Sequence, residues 1–285
     1  MAVVYQNNFT SDNGRNVSQS IWGDFPSART LMEDPPKAFH FFDDFYYPYD
    51  EDASDTFYHK YIDTSNTIRG LATSTTVYGG VVRLLTDATD NDGPVLHYRG
   101  GPTASVGSCP IIIGNTVGAA FKTYYECRFK KSSITDNQCA IFLGLGHMTT
   151  MAADNGLLTD DTGDIVDSVS AIGFRVLHDN GEELDFAWQD SAQTAPVELA
   201  NIATLVADTW TKVGFVYDPL EVDARKIKLF VNGVPYTGAY VTTTQMDAAT
   251  FPENDALTPV FGSKNGEATA TNFDIDWVRV GQIYY

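Results

Sequence analysis

Residues 119–131 read AAFKTYYECRFKK. Phe121, Thr123, Tyr125, Cys127 and Phe129 alternate with Lys122, Tyr124, Glu126, Arg128 and Lys130. A period of two puts the first set on one face of an extended strand and the second on the other. The pattern predicts a half-buried β-strand, with Tyr125, Cys127 and Phe129 turned to a core and the charges turned to solvent. The next apolar run, QCAIFLGLG (138–146), is nearly continuous and fits a central strand.

Further strands follow in both directions. SAIGFRVLH and EELDFAWQ flank Asp179-Asn180-Gly181, and RKIKLFV leads through Asn232-Gly233 into VPYTG. Asn-Gly supplies the positive φ angles of a tight hairpin turn, so both pairs are predicted hairpins. TVYGGVVRLL (76–85), TWTKVGFVYD (209–218) and NFDIDWVRV (272–280) add strands. In the last, alternation predicts Phe273, Ile275 and Trp277 on one face and Asp274 and Asp276 on the other. Seven aromatics between Phe39 and Tyr49, interrupted by Asp43 and Asp44, read as a first core strand. About a dozen short strands and almost no helical period predict an all-β fold, a two-sheet antiparallel jelly-roll sandwich over residues 39–285. No internal repeat and no heptad pattern is present.

Residues 1–38 read differently. The first 20 are polar and rich in Asn and Ser, and SIWGDFPSARTLMEDPPK follows. This is an extended arm with at most one short helix, capped by Asp24 or Ser27 and ended by Pro35 and Pro36. Trp22, Phe25, Leu31 and Met32 are its apolar anchors. They either pack on the chain's own domain or dock on a partner, and the pattern fits both.

The 285 residues carry 37 acidic and 18 basic side chains, a net charge of −19. A field of that sign repels phosphate backbones and anionic lipid, which argues against nucleic-acid and membrane partners. No apolar run reaches the length of a membrane span, and the N-terminal sequence lacks a signal-peptide pattern, so synthesis in a cytoplasm is expected. Cys109, Cys127 and Cys139 are odd in number and match no zinc spacing. They read as small buried hydrophobes, with a disulfide left open.

The order GFRV, ELDFAW, WTKVGFVYD, KIKLFVNGV and FDIDWVRV resembles the concanavalin A-like lectin/glucanase sandwich in its laminin G-like form. These are core-strand motifs, so the resemblance implies a fold and not an activity. SIWGDFPSARTLMEDPPKAFHFFDDF and GGVVRLLTDATDNDGPVLHYRGG resemble virion structural proteins of tailed bacteriophages. That resemblance implies a non-enzymatic virion protein that decorates or cements the capsid. The arm would attach it to the major capsid protein or other virion proteins, and copies would associate as a homo-oligomer. The alternative is a tail-associated receptor- or glycan-binding lectin-like protein.

Glycosidases of this sandwich class carry Glu-x-Asp-x-Glu on one strand, because two carboxylates must flank the scissile bond. Glu183 and Asp185 fit the first two positions, but Ala187 or Trp188 stands at the third, and Asp190 is too far along. No catalytic residue is therefore assigned, and Glu183 and Asp185 read as a solvent-facing pair. Asp50–Asp55, Asp87–Asp92 and Asp154–Asp167 are oxygen-rich, but TDATDNDG lacks the spacing and bidentate Glu of a calcium loop. Calcium at the rim stays compatible with these stretches, with no ligand assigned. The five His form no ligand pair, and no nucleotide-binding or serine-hydrolase pattern appears. For a glycan, the candidates are Trp188 with Gln189 and Asp190, or the Tyr-rich stretch 46–49, against core roles for Trp188, Trp210 and Trp277.

Overall fold

The computed structural model describes residues 16–27, 30–31, 38–45, 58–61, 67–71, 80–98, 111–114, 121–147, 157–167, 169–222 and 225–284. Strands are numbered in chain order. The first sheet runs β14 (Val234–Pro235), β13 (Ile227–Val231), β12 (Thr211–Tyr217), β7 (Lys122–Lys131), β16 (Asn272–Ile283), β4 (Val81–Leu85) and β3 (Thr67–Leu71), with β1 (Ala38–Asp43) also paired to β16. The second runs β11 (Val197–Thr204), β10 (Glu183–Gln189), β9 (Ala171–Val176), β8 (Ala140–Gly146), β15 (Ala256–Lys264), β5 (Val95–Tyr98) and β2 (Tyr58–Tyr61), with β6 (Ile111–Ile112) also on β15. Every one of these pairings is antiparallel. The fold is the all-β two-sheet sandwich that the alternation predicted.

β16 organises the first sheet. One edge pairs with β7 from Phe273↔Lys131 to Ile283↔Lys122. The other takes β4 over Asn272–Ile275 and β1 over Val278–Ile283. Both predicted strand pairs form: β13 turns to β14 through Asn232 at φ 51° and Gly233 at φ 77°, whereas β9 reaches β10 by the longer connection 177–182, in which neither Asn180 nor Gly181 takes the expected positive φ.

The core lies between the sheets. Tyr125, Cys127, Phe129, Phe215 and Tyr217 face Leu143, Phe174, Phe186 and Trp188. Tyr125 stacks on Phe215 at 5.3 Å between ring centroids, and Phe186 meets Phe215 edge-on at 5.6 Å. Cys127 and Cys139 are buried and free, whereas Cys109 lies outside the described residues. A four-residue helix, α2 (Thr243–Met246), opens with a capping box between Thr242 and Gln245 and sets Met246 into the core.

Two expectations are corrected. The bulge between Ile275 and Trp277 shifts the register of β16. Phe273, Ile275, Val278 and Val280 face the core, while Trp277 leaves the alternation and packs beside Phe42. The charged face of β7 is also not solvated: Tyr124 and Glu126 are fully buried and Arg128 nearly so. For Tyr124 and Glu126 the reason is a second layer on the outside of the sheet, formed by the segment beginning at Asn16, whereas Arg128 is held by Asp276 and lies over the Trp210 ring.

Candidate functional site

Both outer faces of the sandwich carry their chemistry under a cover supplied by the chain itself. On the first sheet the cover is the N-terminal segment. Its short helix α1 (Gln19–Trp22) was not predicted. Ile21, Trp22 and Phe25 pack against Tyr124, Val216 and Phe230, with Leu31 at the margin. Two glycines make room: a Cβ on Gly214 would lie 2.6 Å from Ile21 Cδ1, and one on Gly281 would lie 2.4 Å from Phe25 Cε2. Trp22 stacks on Tyr124 at 5.5 Å, and the Arg279 guanidinium lies 4.0 Å above the Trp22 ring.

Glu126 is the polar centre of this contact. Its carboxylate accepts the Ser18 backbone N–H at 2.9 Å and the Trp22 indole N–H at 2.8 Å. Burial raises its pKa, opposed by the Ser18 and Trp22 hydrogen bonds and by Lys212. Burial lowers the Arg279 pKa to about 10. Among the described residues Asp24 caps no helix; it accepts from Lys122 Nζ at 2.6 Å and from the Tyr124 hydroxyl at 3.1 Å. Ser27 does act as a cap, its hydroxyl accepting the Thr30 N–H at 3.3 Å. Trp22 and Phe25 thus belong to the chain's own packing. Met32 lies outside the described residues.

On the second sheet the cover is the loop 157–166. Leu158 and Ile165 bridge each other, and Val166 N–H donates to Leu157 carbonyl oxygen at 3.0 Å, so the loop folds as a small hairpin. Leu157, Leu158 and Ile165 form an apolar layer with Val95, Ala140, Phe142, Ala187 and Val260. Lys264 Nζ donates to Leu158 carbonyl oxygen at 3.0 Å and pairs with Asp160 at 2.5 Å. Gln189 Nε2 donates to Val166 carbonyl oxygen at 3.0 Å.

β10 crosses this face. Its residues Leu184, Phe186 and Trp188 point into the core, so Glu183, Asp185, Ala187 and Gln189 point outward, Ala187 and Gln189 beneath the loop and Glu183 beside Asn201 of β11. Asp185 is only 6% exposed and therefore not the solvent-facing group expected. It accepts the Asn201 N–H at 2.8 Å and sits 3.8 Å from Arg175 Nε. Burial raises its pKa against the Asn201 hydrogen bond and the Arg175 charge. Arg175, itself 3% exposed, pairs with Asp164 of the loop and with Glu198 of β11. Ala187 stands where a third acid would be required, and it is buried in the apolar layer.

The expected sugar platform at 188–190 is corrected. Trp188 and Gln189 are fully buried, Trp188 because the alternation of β10 turns it inward, and only Asp190 reaches the surface. Trp210 is half-buried and lies 4.6 Å from the Arg128 guanidinium. The stretches 46–49 and Asp50–Asp55 fall outside the described residues. Asp87–Asp92 meets the loop through Asn91, whose side-chain oxygen accepts the Asp161 N–H at 2.8 Å. No group of three or more metal-ligating side chains occurs among the described residues.

The family model of the concanavalin A-like lectin/glucanases superfamily (Laminin_G_3) matches residues 149–282. No curated protein matches the chain in sequence. Among solved structures, a protein of unknown function from Shewanella oneidensis MR-1 is similar with a TM-score of 0.52 and 14% identity, covering 90% of this chain and 95% of that one. Peanut lectin with a bound nine-residue peptide gives 0.51 and 14%, covering 86% and 97%. A non-specific endo-β-1,3(4)-glucanase of family GH16 gives 0.50 and 12%, covering 88% and 93%. Likeness at such identities carries fold alone. The fold is the concanavalin A-like sandwich, and residues 149–282 carry that superfamily's sequence pattern.

Proposed function

We propose that this chain is a non-enzymatic structural protein of a tailed-bacteriophage particle, made in the host cytoplasm and placed on the capsid as a decoration or cement protein. One observation carries the reading. Among the described residues, part of each outer face of the sandwich is occupied by the chain itself, the first by Ile21, Trp22 and Phe25 and the second by Leu157, Leu158 and Ile165. A sandwich sealed in this way is suited to present a stable surface and not to enclose a polysaccharide. Ala187 in place of a third acid, and Arg175 between Asp164, Asp185 and Glu198, support the same reading. The resemblance of residues 20–45 and 79–101 to phage virion proteins supplies the setting, and the net charge of −19 suits a protein crowded at high density.

Trp22 and Phe25 are committed to the chain's own sheet, so the attachment belongs to the sandwich surface. The test is binding to capsids that lack the protein, with full-length chain and with a variant missing residues 1–15. Both are expected to saturate the capsid at one fixed stoichiometry. Loss of binding in the truncated form would return the anchor to the arm. Absence of binding by the full-length chain would overturn the capsid role.

A further inference from the structure

The free edge of the first sheet departs from the rest of the molecule in chemistry. β14 is only two residues long, and beyond it Tyr236 N–H donates to Leu229 carbonyl oxygen at 2.8 Å. The chain then bulges away and rejoins β13 only at the Val241–Ile227 bridge. A pocket of about 350 Å³ lies at this edge, lined by Phe230, Pro235, Tyr236 and Tyr240 together with Arg225 and Lys228. Among the described residues no Asp or Glu lines it. In a chain with 37 acidic and 18 basic residues, that local balance is inverted. Lys228 is held by Glu221 at 2.5 Å, whereas Arg225 is exposed and makes no ion pair among the described residues.

The surroundings are apolar. Six large hydrophobic side chains are exposed among the described residues, and four of them, Leu220, Val222, Val234 and Tyr240, lie between positions 220 and 240. The Glu221–Lys228 pair brings Leu220 and Val222 to the same edge. Tyrosine and arginine in the lining and exposed aliphatic side chains nearby match the composition of a protein-binding surface, and the neighbouring Glu221 is engaged by Lys228, which leaves Arg225 for an incoming carboxylate. A saccharide would also find the hydroxyls of Tyr236, Thr237 and Tyr240 here, although Ser20 already donates its hydroxyl to Gly233 carbonyl oxygen at 2.7 Å, and the exposed Leu220, Val222 and Val234 favour a protein segment.

We propose that the β13–β14 edge is a docking surface for a partner protein segment in which carboxylates alternate with apolar side chains. The carboxylate meets Arg225, and the apolar side chain enters between Tyr236 and Tyr240. This names a surface through which the assembly reading can operate, and it is tested without capsids so that either fails alone. The experiment follows backbone amides of the isotope-labelled full-length protein by NMR. The probes are a synthetic hexapeptide alternating Glu with Leu, a matched peptide alternating Lys with Leu, and an oligomer of galacturonate. The acidic peptide is expected to shift amides of residues 225–240 saturably. Arg225→Glu should weaken it about tenfold, and Tyr240→Ala should weaken it measurably. Both side chains are exposed, so both variants fold. Equal binding of the lysine peptide, an absence of saturable shifts, or binding of galacturonate alone at these amides would each overturn the proposal.

Discussion

The indole N–H of Trp22 donates to the Glu126 carboxylate at 2.8 Å, joining residues 104 positions apart. This bond makes the N-terminal segment part of the sandwich. Trp22 is 4% exposed, and its removal leaves a cavity between Tyr124 and Arg279 and leaves the buried Glu126 carboxylate with the Ser18 N–H but without the indole donor. Trp22→Ala is expected to cost about 3–5 kcal/mol, read as a lowered urea midpoint with unchanged slope. An unaltered midpoint would mean that the segment does not pack on the sheet in solution.

Glu126 sets a pH dependence. Its folded pKa lies above the ordinary value of 4.5, so over the window extending upward from 4.5 the folded state binds more protons than the unfolded one. Stability from this group therefore rises as pH falls through that window and is lower at neutral pH. Glu126→Gln removes the titration. The midpoint of the natural protein minus that of the variant is expected to grow between pH 7 and pH 5. A difference independent of pH would contradict the burial of an ionisable group there.

Arg175 holds the loop 157–166 to the second sheet. Arg175→Met strands Asp185 and leaves Asp164 and Glu198 without their partner. The latter two keep access to water, at 29% and 39% exposure, so the cost sits at the low end for a broken buried pair, about 3 kcal/mol. Hydrogen exchange should show faster exchange at the Val166 N–H, which otherwise bonds to Leu157. A stability loss with full protection at Val166 would assign Arg175 to the core and not to the loop.

The thiols offer a direct check on the core. Burial pushes the Cys127 thiol well above its ordinary range, and Cys139 is 1% exposed. In a Cys109→Ser variant both remaining thiols should resist an aromatic disulfide reagent in the native state and react fully in denaturant. Rapid reaction of either in the native protein would place it at the surface.

The inner layer was legible because it is written locally. The alternation of β7 identified Tyr125, Cys127 and Phe129 as core, and Asn232-Gly233 announced its hairpin. The outer layers were not, because each is a contact between distant segments. Glu126 on a strand's polar face reads as solvated until Ser18, 108 positions away, is placed on it. The signals existed in the residue choice. Gly281 stands at an outward position where the overlying Phe25 and Trp22 require the space, and Gly214 at one where Ile21 and the Tyr125 carbonyl oxygen both do. Ala140, Phe142 and Ala187 are apolar on a face that solvent would favour as polar. The bulge at Asp276 left no signal, since FDIDW alternates without a break and the extra residue shows only in the pairing with β7.

The position of β16 governs how the chain is made. This strand lies between β7 on one edge and β4 and β1 on the other, and it follows all of them in sequence. A chain leaving the ribosome therefore carries β1, β4 and β7 with unfilled edges until residues 272–283 emerge, and Phe25 has no seat until Gly281 arrives. Closure of the sheet is deferred until residues 272–283 have been made, and the waiting intermediates expose strand edges open to mispairing.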